Sequence, residues 1–238
     1  YLSRLKGPAL VQKDGNWQDF GDEAFMLSQH LDCVIIGKKR CKSANLALAM
    51  GSRLLILDDG FQHRAIARNL VLVLIKEEDL KDRLFPFGKL REPIESLRRA
   101  SAILISYSEL NENIEKHPIL SEKPIFYPKR INFRILDSKT NEELKLPTKE
   151  RFYAFSALGD NEQFFKTLER LGIEVYAKMP LRDHFSYENF RLPGKGPWIT
   201  TQKDLIKLKP TKGLYYLTYD LEVPGLIEWI ISKINAAS

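Results

Sequence analysis

The stretch that most constrains this chain is residues 53 to 63, Arg-Leu-Leu-Ile-Leu-Asp-Asp-Gly-Phe-Gln-His. Leu54 to Leu57 form a short, continuous apolar run flanked by charge, the pattern of a strand buried on both faces of a sheet. The run stops at two adjacent carboxylates, Asp58 and Asp59, followed by the permissive Gly60. In an open parallel α/β sheet, ligands sit beyond the carboxyl ends of the strands, so the acid pair points at a site. An Asp-Gly turn after a strand accounts for Asp59 and Gly60 with no chemistry at all. Phe61-Gln62-His63 makes the unit far more specific than such a turn.

Taken in order, the chain alternates strand and helix. Residues 8 to 12 and 33 to 37 read as strands, with an amphipathic helix opened by Gly21-Asp22-Glu23 between them. Acidic residues suit a first helical turn because they oppose the positive end of the helix dipole, which is the simple account of Asp22 and Glu23. Lys38-Lys39-Arg40 follows the second strand, where cations can meet phosphate or merely be solvated, and a helix runs from Ala44 to Met50. Strands are expected at 54–57, 70–75 and 102–106, with a Pro/Gly-rich loop over 85–93 and a helix over 94–100. A helix is expected over 111–120 and strand segments over 126–128 and 131–135. A second run then gives strands at 152–156, 173–177, 198–201 and 214–219, and helices at 161–171, 203–208 and 226–234. This rhythm predicts an α/β fold with a mostly parallel, doubly wound sheet flanked by helices. The expected division is a core domain over 1–123, a β-hairpin linker over 124–148, and a smaller α/β domain over 149–238 whose last helix packs back on the first domain.

Composition narrows the partners. A net charge of +6 and pI near 9.1 favour anionic ligands: nucleotide, phospholipid headgroup or nucleic acid. The basic residues form no stripe interleaved with aromatics and no nucleic-acid-binding motif occurs, so no nucleic-acid partner is expected. Cys33 and Cys41 read as buried free thiols, with no CxxC and no clustered histidines. No apolar run approaches the roughly 20 residues that span a bilayer, and no signal peptide is visible.

Asp-Asp-Gly-Phe-Gln-His over 58–63, followed in order by Leu90-Arg91-Glu92-Pro93, resembles the tetraacyldisaccharide 4'-kinase family, the lipid A kinases of Gram-negative bacteria. Further segments carry the likeness along nearly the whole chain: Ser3-Arg4, Gly21-Asp22-Glu23, Gly37 to Arg40, Pro86 to Pro93, Ala157-Leu158-Gly159 with Phe164-Phe165, Asp183-His184-Phe185, and Thr200-Thr201-Gln202-Lys203-Asp204. Departures occur at Leu5 and Lys6, at Phe87 and Lys89, and at Gln202, where the family usually carries Glu. The family's P-loop pattern, G-x-x-x-x-G-K-[ST], does not occur in these residues. The chain starts at Tyr1 rather than Met, so an upstream P-loop and membrane-associating helix are expected beyond it, and the chain by itself is expected to be inactive.

The resemblance implies a P-loop-kinase-like fold and transfer of the ATP γ-phosphate to the 4'-hydroxyl of tetraacyldisaccharide 1-phosphate, with ATP and Mg²⁺ as cofactors. It implies Asp22 as the base toward the acceptor hydroxyl, with His184 reaching across from the second domain to assist when the domains close. Asp58, Asp59 and Glu92 are implied at the metal, and Arg40, His63 and Arg91 around the phosphates. P-loop phosphotransferases hold Mg²⁺ through such a strand-end Asp. The implied partner is the lipid A disaccharide precursor at the cytoplasmic face of the inner membrane, where the protein would be peripheral. The alternative is a non-catalytic lipid- or headgroup-binding remnant of the same fold.

Overall fold

The structure, a computed structural model, describes residues 7–107, 117–192 and 196–237. By internal contacts it divides into two compact units. One comprises Tyr1–Leu55 with Phe133–Thr218, the other Ile56–Asn132 with Tyr219–Ser238. These cuts fall elsewhere than at the expected 123/124 and 148/149.

A six-stranded sheet of order β7-β6-β11-β10-β8-β9 is formed by β6 (Lys129–Asp137), β7 (Glu143–Leu144), β8 (Arg151–Ser156), β9 (Glu174–Pro180), β10 (Trp198–Thr201) and β11 (Leu214–Glu222). All of it but the start of β6 and the end of β11 belongs to the first unit. β9, β8, β10 and β11 run parallel, and β6 with β7 makes an antiparallel hairpin at the far edge. The expected hairpin thus exists as a sheet margin rather than as a separate linker.

Strand alternation explains why both faces of β8 are covered. Phe152 and Ala154 join Ile135, Ile199 and Leu217 in one apolar cluster, and Phe155 joins Trp198, Leu214 and Tyr187 in another. The first face is closed by helix α5 (Asn161–Arg170), which turns Phe164, Phe165 and Leu168 inward at helical spacing. Gly172 follows with φ +70°, the left-handed stop that glycine takes most easily.

The amino-terminal part of this unit is less regular than the sequence pattern predicts. β1 (Ala9–Leu10) pairs antiparallel with β2 (Ile35–Ile36), each only two residues long. Between them lie α1 (Trp17–Phe20), whose first turn Asn16 caps through its side chain, and α2 (Asp22–Ser28). α3 (Arg40–Ala49) follows β2. Cys33 and Cys41 are both reduced, but both are exposed rather than buried. Cys33 precedes a two-residue strand and Cys41 opens a helix, so neither sits in a sheet core.

The second unit carries a three-stranded parallel sheet of β3 (Leu72–Ile75), β4 (Ala102–Ile105) and β5 (Ile125–Phe126), in that order. Central β4 is buried along its whole length, as a continuous apolar run flanked on both sides should be. Residues Ile94–Arg99 form a 3₁₀ segment rather than the expected α-helix, and Leu97 and Ala100 still reach the core. Of the helix expected over 111–120, residues 111–116 lie outside the described residues, and α4 (Pro118–Ser121) begins only at Pro118, with extended His117 as its N-cap. The Ser3-Arg4 segment also lies outside them. The last helix, α7 (Leu226–Ala237), sets Trp229 edge-on against Phe126, with ring centroids 5.6 Å apart.

The expected strand over 54–57 is not formed. Leu54, Leu55 and Ile56 are exposed, Ile56 at 87%. A strand needs neighbours to complete its hydrogen-bond ladder, and among the described residues none pairs with this run. Apolar side chains alone cannot supply that.

Candidate active site

Each unit carries part of the residue set singled out by sequence. In the first, α2 opens with Asp22, whose side chain is almost wholly buried. Asp22 Oδ1 accepts the backbone N–H of Glu23 at 3.0 Å. Asp22 Oδ2 lies 2.5 Å from Lys207 Nζ and 3.7 Å from His184 Nδ1. On its other edge, His184 Nε2 lies 3.7 Å from Asp183 Oδ2, so the imidazole sits between two carboxylates. His184 has φ +59°, and its N–H donates to Asp183 Oδ1 at 3.0 Å, which fixes the turn presenting the ring.

Burial pushes the Asp22 carboxyl up, but the hydrogen bond and charge of Lys207, with the more distant charge of Lys203, hold it below its ordinary value. Asp22 is therefore a carboxylate at neutral pH. Lys203 Nζ is paired with Glu23 Oε1 at 2.8 Å, next door on α2.

What positions the two lysines is a buried carboxylate. Asp204 in α6 (Gln202–Leu205) is 1% exposed and accepts from Tyr187 Oη at 2.9 Å, Thr201 Oγ1 at 2.7 Å and the Ala157 N–H at 3.2 Å. Thr201 Oγ1 in turn accepts the Asp204 N–H at 3.2 Å as the helix N-cap, and the Lys207 N–H donates to the Asp204 carbonyl at 3.0 Å. Burial beside Asp204 pushes the Tyr187 hydroxyl far above its ordinary value, so it stays a donor. The buried hub thus fixes the turn from which Lys203 and Lys207, four residues apart, meet Glu23 and Asp22.

In the second unit, the Asp58-Asp59-Gly60 turn is exposed, and Asp59 has φ +45°. Arg68 donates to the carbonyls of Gly60 and Phe61, and the His63 N–H donates to the Gly60 carbonyl at 3.0 Å, which braces the turn from its carboxyl side. Arg91 Nη1 reaches both Asp59 oxygens, at 3.0 and 3.2 Å. Glu92 is ion-paired with Arg99, whose guanidinium holds the carboxyl below its ordinary value, and Arg99 also lies over the Phe61 ring at 4.5 Å.

The structure thus brings together Asp22 with His184, and Asp59 with Arg91. The first pair lies inside one contact unit instead of assembling between two domains, because the amino-terminal segment through Leu55 belongs with the carboxy-terminal sheet. Arg40 opens α3 in that same unit, whereas Asp58, His63 and Glu92 lie in the other. Asp58 and Asp59 offer hard carboxylate oxygens at an exposed turn, which fits a magnesium ion held by one or two carboxylates together with nucleotide phosphates. Among the described residues, no three His, Cys, Asp or Glu side chains converge to hold a metal by themselves.

The sequence profile of the family described as tetraacyldisaccharide-1-P 4'-kinase, LpxK, matches residues 1–235. The chain belongs to that family. Among 4'-kinase relatives, it is 39% identical over 232 residues to the tetraacyldisaccharide 4'-kinase of Aquifex aeolicus, covering 94% of this chain and 72% of that protein. It is 32% identical to that of Koribacter versatilis over 75% of this chain and 54% of that protein. The crystal structure of the "apo" form of LpxK from Aquifex aeolicus in complex with ATP superposes with a TM-score of 0.79 at 35% identity, covering 99% of this chain and 76% of that one. The expected α/β fold with parallel sheets flanked by helices is that of the LpxK structure.

Lys207 and the Asp204 hub are functional residues that the sequence pattern did not mark. Thr200 to Asp204 was singled out only as a segment resembling the family. No local signal marks Lys207, because it lies in the turn just past α6 and its acidic partner Asp22 comes from α2, far away in the sequence.

Proposed function

We propose that this chain carries out the acceptor side and part of the nucleotide side of phosphoryl transfer from ATP to the 4'-hydroxyl of tetraacyldisaccharide 1-phosphate. The observation that carries the reading is the buried Asp22 carboxylate facing His184 in a chain of this family. A sugar hydroxyl attacks phosphorus only as its proton leaves, so a base must stand beside it. Asp22, kept ionised by Lys207, accepts that proton as the new O–P bond forms and the bond to the ADP oxygen breaks. His184 takes up the proton or shares it through Nδ1. The 3.7 Å separation is longer than a hydrogen bond, as catalytic contacts often are before substrate tightens them.

Toward the nucleotide, Arg91, His63 and Arg40 are the residues we assign to phosphate, and Asp58, Asp59 and Glu92 to Mg²⁺, Glu92 being paired with Arg99 here. Bound Mg²⁺ would neutralise charge on the phosphates. The Asp59–Arg91 pair sets a cation beside a carboxylate that the metal would share. Because the acceptor is a membrane lipid, we place the protein peripherally at the cytoplasmic face of the inner membrane. Among the described residues, no helix is long and apolar enough to cross a membrane. The alternative, a non-catalytic headgroup-binding role, has no observation of its own in the site.

The test is transfer of labelled γ-phosphate from ATP to tetraacyldisaccharide 1-phosphate by the kinase containing this chain. Asp22→Ala and His184→Ala should each lower kcat by about 100-fold or more, with little change in KM for ATP. Normal turnover in either variant removes that residue from the chemistry.

A further inference from the structure

Residues 82–90 form a closed loop in the second unit whose shape is fixed from within. Leu84 and Leu90 bridge its ends. The Phe85 N–H donates to the Leu90 carbonyl at 2.9 Å, and the Leu90 N–H to the Arg83 carbonyl at 3.0 Å. The N–H groups of Phe87 and Gly88 converge on the Leu84 carbonyl at 2.9 and 3.1 Å. The Asp82 carboxylate accepts the N–H groups of Arg83 at 2.7 Å and Lys89 at 3.0 Å, so its lone pairs are turned inward. Gly88 packs so closely that a Cβ there would lie 2.2 Å from the Arg83 carbonyl oxygen.

This frame holds Phe85 and Phe87 out in solvent, 80% and 85% exposed, with Leu84 exposed beside them. Single exposed apolar residues are ordinary. Two aromatics at the tip of a braced loop are different, because the brace prevents them from folding back onto the protein. Within the loop, exposed Arg83 and Lys89 stand against Asp82 alone, whose carboxylate is taken up by the loop's own N–H groups. Exposed Lys81 precedes the loop, and Arg91, just after it, is paired with Asp59. An aromatic wedge with a cationic collar matches the headgroup–acyl boundary of an anionic bilayer, which offers apolar depth below a layer of phosphates. A groove on another protein would suit the aromatics but gives no reason for the cations Arg83 and Lys89 beside them.

We propose that the 82–90 loop inserts Phe85 and Phe87 into the interfacial region of an anionic bilayer while Arg83 and Lys89 engage the headgroup phosphates. The proposal rests on the peripheral, lipid-directed reading above and adds the surface that makes the contact.

The test is cosedimentation of the purified 238-residue chain with vesicles of phosphatidylglycerol and phosphatidylethanolamine at low and high salt. The Phe85→Ser/Phe87→Ser double variant should lose about tenfold or more in vesicle partition, with thermal unfolding unchanged. Arg83→Gln/Lys89→Gln should lose several-fold at low salt and match the wild type at high salt, where the collar is screened. In Phe87→Trp, emission should shift to the blue on vesicle addition and be quenched by brominated acyl chains, beyond any response of the three native tryptophans. The proposal is overturned if the wild-type chain does not bind, if the double variant partitions like the wild type, or if the Phe87→Trp signal ignores vesicles. A concentration-dependent dimer abolished by the double substitution, with no vesicle binding, assigns the aromatics to a second copy instead. Phosphoryl transfer is not read in this experiment, so its outcome and that of the kinase assay fail independently.

Discussion

Lys207 Nζ lies 2.5 Å from Asp22 Oδ2, and both side chains are within 5% of complete burial. A buried ion pair adds little net stability, because desolvation offsets attraction, but removing one partner strands the other charge in low dielectric. Lys207→Met should therefore destabilise the fold by roughly 3–5 kcal/mol, a large share of the total for an ordinary domain. Lys207→Arg should keep most of that. Urea unfolding of the two variants checks it; equal stability of Lys207→Met and the wild type would mean that Asp22 carries no charge.

The same pair predicts an acid limb. Asp22 is held below its ordinary value of 3.8 in the folded chain, so the unfolded state binds its proton first. Its contribution is fully present above about pH 4, and is lost as pH falls through the lower folded value. The slope of stability against pH in that window should include about one proton from Asp22. In Lys207→Met the opposing desolvation is left in control, and the Asp22 carboxyl should titrate above its ordinary value. Carbon-13 titration of the Asp22 side-chain carboxyl measures both; an unchanged midpoint in the variant would refute the assignment of Lys207 as the dominant partner.

These relationships show why the site was only partly legible in the sequence. Elements whose pattern is local came through: Phe152 to Ser156 alternates as a strand should, and Phe164, Phe165 and Leu168 mark the inward face of α5. Leu54 to Leu57 did not, because an apolar run specifies what it can bury but not which strands will pair with it. Asp22 and His184 could be named from their motifs, yet that they share one unit follows from how the amino-terminal segment associates, which no local pattern encodes. Lys207 was invisible for the same reason. An isolated lysine reads as a solvated surface residue until its partner from the other end of the chain is known.

Tyr187 and Asp204 offer a test of the buried hub that leaves the site lysines in place. The Tyr187 hydroxyl is one of four donors, with Thr200, Thr201 and the Ala157 N–H, to a carboxylate that is 1% exposed. Tyr187→Phe removes that donor while keeping the ring against Phe155 and Phe190. Loss of a hydrogen bond to a buried charge should cost about 1.5–3 kcal/mol. Asp204→Asn should cost more, since it changes the acceptor for all four donors. If the hub positions Lys207, Asp204→Asn should also shift the Asp22 titration, whereas a purely structural role leaves it where it was.

Gly88 tests the brace of the exposed loop. A methyl group at Gly88 would meet the Arg83 carbonyl oxygen at 2.2 Å and an Asp82 carboxylate oxygen at 2.4 Å. The first contact is with backbone, which cannot swing aside as a long side chain can. Gly88→Ala must therefore open the loop, losing some of the hydrogen bonds from Gly88, Lys89 and Leu90 that close it. Overpacking of this kind costs about 1–3 kcal/mol, but the loop is exposed, so the cost should be met locally rather than by the core of β4. Hydrogen exchange would show this as faster exchange at Lys89 and Leu90, with Ile103 to Ile105 protected as before. With the brace open, Phe85 and Phe87 become free to fold back, and vesicle partition should fall even though neither aromatic nor any cation has been changed. Full vesicle binding by a variant whose loop amides exchange rapidly would show that the brace is not what presents the aromatics.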